Sequence, residues 1–185
     1  GVRLVGSEMC IRDSSYTLTL VVGDNIESVG INTSESSTTQ LVKQIKYEQQ
    51  VDISAILKTE EYYEIKWLKW ESDNTSVLNN NNQNAKITMP AENVALTAKA
   101  SKQGKNYKYT IEYYYNNEID SSKTETKTAR YNTTVDGFNK KDVLGFEFER
   151  VEGTPLKITQ NEETNKIKVY YLSLIHISEP TRRTP

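Results

Sequence analysis

Apolar residues alternate with polar ones along most of this chain, at the spacing of half-buried strands. Tyr16, Leu18, Leu20 and Val22 share one face of the first such run, with Thr17 and Thr19 on the other. Gly23-Asp24-Asn25 is a turn signal, and residues 26–31 return as a second strand. Residues 32–40 are rich in Ser and Thr without a period, which predicts a loop. Residues 41–47 alternate poorly and predict a weak strand. Val51, Ile53, Ala55 and Leu57 share a face, as do Tyr63, Ile65 and Trp67, with Trp70 beyond. Residues 72–84 include the run Asn79 to Asn82 and predict a polyasparagine loop. Short strands follow at 86–89 and 94–98, around Pro90, which belongs at a turn or an edge.

Residues 101–106 hold Lys102, Gly104 and Lys105 and no apolar anchor, and so predict a linker. Beyond them, Tyr109, Ile111, Tyr113 and Tyr115 point one way, and Thr110, Glu112 and Tyr114 the other. Asn116-Asn117 is a hairpin-type turn. Residues 123–131 alternate Thr with charge, as an exposed strand does. Residues 135–143 predict the one short helix, weakened by Gly137. Phe146, Phe148 and Val151 suggest another strand, ended by Glu152-Gly153. A short extended piece at 155–158, a turn at 161–165 and a closing strand through Ile167, Val169 and Tyr171 complete the pattern. The reading is mainly β, as two small tandem modules at 15–100 and 107–171.

Composition narrows the chemistry. Twelve Tyr and two Trp supply much of the buriable area. Lys and Arg number 23 against 25 Asp and Glu, and the lysines are scattered. That mild acidity offers no basic patch for nucleic acid. No apolar run approaches the length of a membrane span. The single Cys is Cys10 and the single His is His176. Between them no side chain can serve as the usual base for a nucleophilic Ser or Cys, and zinc lacks its preferred ligands. The glycines are few and dispersed, so no phosphate cradle is expected. Carboxylate-pair chemistry on sugars would need a cleft, which such small modules rarely form. The expectation is a non-catalytic protein without metal or cofactor.

Both ends differ from the rest. Residues 4–13 read LVGSEMCIRD and residues 172–182 read LSLIHISEPTR. Back-translated, the two strings are reverse complements, and they resemble a translated sequencing-library adapter. The resemblance implies that 1–14 and 172–185 are not part of the biological protein, and that they pack poorly against the remainder.

Two family resemblances cover the interior. Residues 85–100, AKITMPAENVALTAKA, follow Trp67-Leu68-Lys69-Trp70, and the opening YTLTLVV also fits. This unit, 15–100, resembles a divergent internalin-type bacterial repeat. The aromatic strand 109–115, the Thr-rich strand after it, Gly145-Phe146 and V-E-G-x-P-L at 151–156 resemble the mucin-binding-protein (MucBP) repeat. The resemblances imply a β-grasp-like second module and a β-grasp-like or small β-sandwich first module. They imply extracellular modules of a Gram-positive cell-surface or cell-wall protein, acting as stalk or spacer of an adhesin-like protein. Host mucin, glycan or protein binding is the alternative, and an accessory region of a secreted hydrolase the third reading. The partners implied are neighbouring repeats of the same chain and a host glycoprotein or glycan.

The candidate ligand residues are Trp67, Trp70 and Tyr114. The tryptophans are candidates for a sugar platform, although small β modules also bury their few large aromatics, and that reading is preferred. Tyr114 is the residue that alternation leaves on the outer face. Glu60, Glu61 and Glu64 lack calcium-loop spacing and read as a solvated face. Lys108 and Lys127 are considered for an internal isopeptide bond and expected to be solvent-exposed.

Overall fold

The computed structural model describes residues 14–72, 77–78 and 81–177. The chain divides into two compact units, Gly1–Gln103 and Gly104–Pro185.

In the first unit the sequence alternation becomes two four-stranded sheets. One contains β1 (Ser15–Val22), β4 (Gln40–Lys46), β6 (Tyr63–Glu71) and β8 (Val94–Gly104), in the order β4-β1-β8-β6. The other contains β2 (Ile26–Ile31), β3 (Glu35–Ser37), β5 (Gln50–Leu57) and β7 (Asn84–Thr88), in the order β3-β2-β5-β7. Leu18, Leu20, Ile45 and Leu96 from the first sheet meet Ile31, Val51, Ile53 and Ile87 from the second in one core. Two sheets closed over alternating side chains form a small sandwich. Each fully buried Leu or Ile stabilises it by about 1.5–3 kcal/mol.

The expected loop at 32–40 contains β3, which pairs antiparallel with β2 from Ile31↔Glu35 to Val29↔Ser37. Asn32 and Thr33 both take positive φ, the requirement of a tight hairpin whose twist matches its strands. Pairing of this kind uses main-chain groups, so Ser and Thr without periodicity can still supply it.

In the second unit, β9 (Asn106–Tyr115) and β15 (Lys166–Ser173) lie at the centre of a mixed sheet. β13 (Phe146–Glu152) flanks β15. β10 (Glu118–Ile119) and β11 (Glu125–Arg130) follow one another along the other side of β9. The first and last long strands run parallel and their flanking partners antiparallel, a β-grasp-like arrangement. β12 (Thr134–Val135) and β14 (Leu156–Lys157) form a separate two-stranded sheet. Tyr109, Ile111, Tyr113, Ile158, Ile167, Val169 and Tyr171 fill the core on one face of the main sheet. Asn116 and Asn117 both have positive φ, closing the expected hairpin between β9 and β10. Gly153 also has positive φ, and a Cβ there would stand 2.4 Å from the Lys166 carbonyl oxygen. Only glycine fits that approach.

Three further expectations are corrected. Residues 101–104 continue β8, and β9 begins at Asn106, so the expected linker is largely strand. Its polar side chains find partners: Ser101 Oγ donates to the Lys66 carbonyl, Lys102 pairs with Glu60, and Gln103 donates to Glu64. The expected helix at 135–143 does not form. Its backbone is committed to the sheet instead: Lys141 N–H donates to the Tyr171 hydroxyl at 2.6 Å, and the Asn139 carbonyl accepts from Tyr113 at 2.8 Å. Finally, the start of the C-terminal run expected to pack poorly is ordered. Leu172 and Ser173 complete β15 opposite Glu147 and Phe146, and Ser173 is buried. A single helical turn, α1 (Leu174–Ile177), follows, with Leu174 N–H bonded to the Gly145 carbonyl. Strand pairing asks only for backbone donors and acceptors, which any sequence provides. Residues 1–13 and 178–185 of the two end runs lie outside the described residues.

Candidate functional site

β9 and β15 send most of their odd residues into the core of the second unit, so their even residues line the opposite face, where Glu112 is buried and Tyr114 and Tyr170 are half-buried. The parallel register sets Tyr114 beside Tyr170. Ile119 of β10 lies opposite Tyr114 on one side, and Arg150 of β13 opposite Tyr170 on the other. One row, Ile119–Tyr114–Tyr170–Arg150, therefore crosses the whole sheet. The tyrosine rings stack, with centroids 4.9 Å apart and 21° between planes. The Arg150 guanidinium lies 3.9 Å over the centre of Tyr170, a cation–π contact. Ile119 is 48% exposed.

The position of Arg150 depends on a β-bulge. Phe148 pairs with Tyr171, and an unbroken strand would set Glu149 opposite Tyr170. The register shifts by one residue between Phe148 and Arg150, which brings the arginine there instead.

Carboxylates and lysines fix the row from the side. The Tyr114 hydroxyl donates to Glu112 at 2.8 Å, and Lys166 lies 2.9 Å from the other oxygen of that carboxylate. Tyr170 donates to Glu152 at 3.2 Å, and Glu152 also accepts from Arg150 Nε at 3.0 Å. The hydrogen bond to Glu112, reinforced by burial, pushes the Tyr114 hydroxyl up to about 12. Burial pushes the Glu112 carboxyl up, but hydrogen bonds from Lys166 and Tyr114 outweigh it and leave the group below its ordinary value. Glu152 is lowered chiefly by its hydrogen bond from Arg150. At neutral pH the face thus presents neutral phenols, ionised carboxylates and cations, each engaged with a neighbour. Such a surface suits hydrogen bonding, since its rings are already stacked on one another and under Arg150.

Of the three expected ligand residues, only Tyr114 stands on this face. Trp70 is 2% exposed and belongs to the first unit's core. Trp67 is partly buried against that core and meets Trp70 edge-on, with centroids 5.4 Å apart. Their indole N–H groups donate to the carbonyls of Asn81 and Asn82, and Asn81 Oδ1 accepts from the Trp70 backbone. The described part of the polyasparagine run is therefore fastened to both tryptophans. Residues 73–76, 79 and 80 of the same stretch lie outside the described residues.

Sequence reasoning passed over Tyr170 and Arg150. Tyr170 was legible as the outward neighbour of Val169 and Tyr171, but its pairing with Tyr114 required the register. The remaining charged candidates are engaged. Glu60 binds Lys102, Glu64 binds Lys66 at 3.2 Å, and Lys127 binds Glu125 at 2.9 Å. Lys108 is exposed. Among the described residues no group of acidic, His or Cys side chains is gathered to hold a metal ion, and no helix is long and apolar enough to cross a membrane.

No protein-family model matches the chain, and no curated protein matches it in sequence.

Proposed function

We propose that the chain is a pair of non-catalytic modules from a bacterial cell-surface protein, serving as spacers in an adhesin-like stalk. The carrying observation is common to both units. In each, the first and last strands are parallel neighbours: Leu18–Val22 beside Val94–Ala98, and Thr110–Tyr115 beside Lys166–Tyr171. Parallel terminal strands send the chain in at one end of a module and out at the other. At about 3.3 Å per residue, each module advances the chain by roughly 35–45 Å. Modules wired this way extend a protein when repeated, whereas antiparallel terminal strands would return the chain to its starting end. The motif resemblances at 85–100 and 109–171 support the same reading. Small-angle scattering on the full chain tests it. An elongated particle, longer than either module alone, is expected; a compact particle whose maximum dimension matches one module would overturn it.

A second reading has its own observation. The Ile119–Tyr114–Tyr170–Arg150 row sets two phenol groups, a guanidinium and the Glu112 and Glu152 carboxylates side by side on one face of the second module, groups of the kind that hydrogen-bond to a sugar or a protein side chain. Under this reading the module binds host glycan or glycoprotein. A glycan array on the full chain, repeated with Tyr170→Ala, decides between the two: binding lost in the variant supports recognition, and silence of the wild type leaves the spacer reading alone.

A further inference from the structure

We infer that both modules are built to bear tension applied through the chain ends, with the central parallel strand pair of each as the load-bearing element. The inference goes beyond the spacer reading and does not rest on it, because it follows from the direction in which force meets the hydrogen bonds.

In the first module, pulling on the chain draws β1 backwards from Ser15 and β8 forwards from Gly104. The two strands are neighbours over Leu18–Val22 and Val94–Ala98. The load therefore acts along the strands, and the evenly spaced bonds of the parallel ladder resist together. β1 is held on its other edge by β4, from Ser15↔Lys46 to Val21↔Gln40, so it must slide from between two partners to escape. The second module repeats the device. β9 and β15 are paired over Thr110–Tyr115 and Lys166–Tyr171, and each is flanked by a further strand.

Both ladders are extended at the same place. The residue just before the last strand of each module is an asparagine that bonds to the first strand. Asn93 Oδ1 accepts from the Thr17 backbone at 2.8 Å. Asn165 Nδ2 donates to the Lys108 carbonyl at 3.2 Å, and the Asn165 carbonyl accepts from Thr110 at 2.9 Å. At the far end of the second ladder, Asn116 N–H donates to the Tyr171 carbonyl, and Asn116 Oδ1 accepts from Ser173, each at 3.0 Å. The sheared interface thus has ties beyond its strand residues. The hydrophobic row Ile111, Tyr113, Ile167 and Val169, all at 0% exposure, lies beneath it and keeps water from the sliding strands.

The same protein contains a direction in which it is weak. β13 and β15 are antiparallel, and Phe146 and Ser173 meet at one end of their ladder. Pulling those ends apart peels the strands, breaking bonds one after another. Leu144, just before β13, is fully exposed and packs against nothing, so it is a neutral attachment point.

Single-molecule force spectroscopy on the full chain with Cys10→Ser tests the inference. One molecule is held by its two chain ends; the other carries Leu144→Cys and is held at residue 144 and the C-terminus. Thermodynamic stability is common to both, and forced unfolding reports the unfolding barrier along the pulling direction. Melting curves are compared first to verify that Leu144→Cys leaves the fold unchanged. The end-to-end pull is expected to show two unfolding events, one per module, each at a force several-fold above that of the peeling pull at the same loading rate. End-to-end events at or below the peeling force would overturn the inference.

Discussion

Tyr114 and Tyr170 are stacked across the parallel β9–β15 pair, on the face of the sheet turned away from the core. Neither lies in the packed interior, so the pair contributes to stability chiefly through its contacts on this face: the ring stack, the Arg150 cation–π contact and the hydrogen bonds to Glu112 and Glu152. Stacked aromatic pairs add about 0.5–1.5 kcal/mol beyond the area they bury. Tyr170→Ala is therefore expected to lower the unfolding free energy of the second module by about 1 kcal/mol in urea titrations. It should leave the circular-dichroism spectrum of the folded protein unchanged. A loss several times larger would place Tyr170 in the core.

The Tyr114 phenol is held neutral by the Glu112 carboxylate beside it, which pushes its ionisation up to about 12. Glu112→Gln removes that negative charge and returns the phenol toward its ordinary value of 10.0. Spectrophotometric titration should show one tyrosine moving to lower pH in the variant, and Tyr114→Phe should abolish that movement.

The two tryptophans are expected to behave unequally. Trp70 is fully enclosed, and its truncation to Ala leaves a large cavity, at a cost of about 3–5 kcal/mol. Trp67 keeps part of its surface in solvent, and Trp67→Ala should cost about 1–2 kcal/mol. Denaturant unfolding of the two variants, each followed by its remaining indole, checks the order. Equal losses would mean that the edge-on contact, rather than burial, dominates.

Asn165 is 1% exposed and joins three segments. Its amide donates to the carbonyls of Lys108 and Thr159, and its oxygen accepts from the Thr159 backbone and hydroxyl. Each buried group left without a partner costs about 1–3 kcal/mol, so Asn165→Ala should destabilise the second module by at least that much. Asn165→Asp keeps the acceptor but loses the donor in its ionised form, and should remain impaired. Hydrogen exchange at the Thr159 amide would quicken in Asn165→Ala, and protection at the wild-type level would contradict the assignment.

Acid should weaken the second module by removing the charge of carboxylates that the fold holds ionised. The Glu125 carboxylate accepts from Lys141 and pairs with Lys127, and these contacts hold its ionisation down at about 2. Asp120 is held at about 2 by hydrogen bonds from Lys123 and Ser122. A carboxyl lowered in the folded state contributes stability that is complete above its unfolded value, near 4.5 for Glu, and disappears as pH falls toward the folded value. Stability of the second module should therefore decline between about pH 4.5 and pH 2, and Glu125→Gln should flatten part of that decline. Denaturant midpoints measured across this range provide the check. An identical slope in the variant would remove Glu125 from the account.

Several strands were legible because alternation is a local property. Leu18 and Leu20, or Tyr109, Ile111 and Tyr113, declare their inner face without reference to any partner. The asparagine hairpin at 116–117 was equally local, since the residue type tolerates the positive φ the turn needs. Trp67 and Trp70 were harder. Three residues apart on a strand, they belong on opposite faces, and only their meeting over Asn81 and Asn82 reveals how both reach the same core. The candidate face was half legible: Tyr114 could be placed outward, but nothing local pairs it with Tyr170, fifty-six positions away. Arg150 was beyond reach, because one bulged residue decides whether an arginine or Glu149 occupies that place. The failed helix at 135–143 has the same origin, since its backbone partners are side chains on β9 and β15.

The sequence by itself determined that the protein is built of strands, which side of many of them faces inward, and where several turns fall. It could do so because pleat, side-chain size and turn chemistry act over a few residues. Tertiary structure alone decided that first and last strands lie parallel at the centre of both modules, that a bulge brings Arg150 over Tyr170, and that Leu172 and Ser173 complete β15. Those outcomes depend on register between distant segments, which is set by the joint burial of two sheets and by backbone hydrogen bonds that any residue can make.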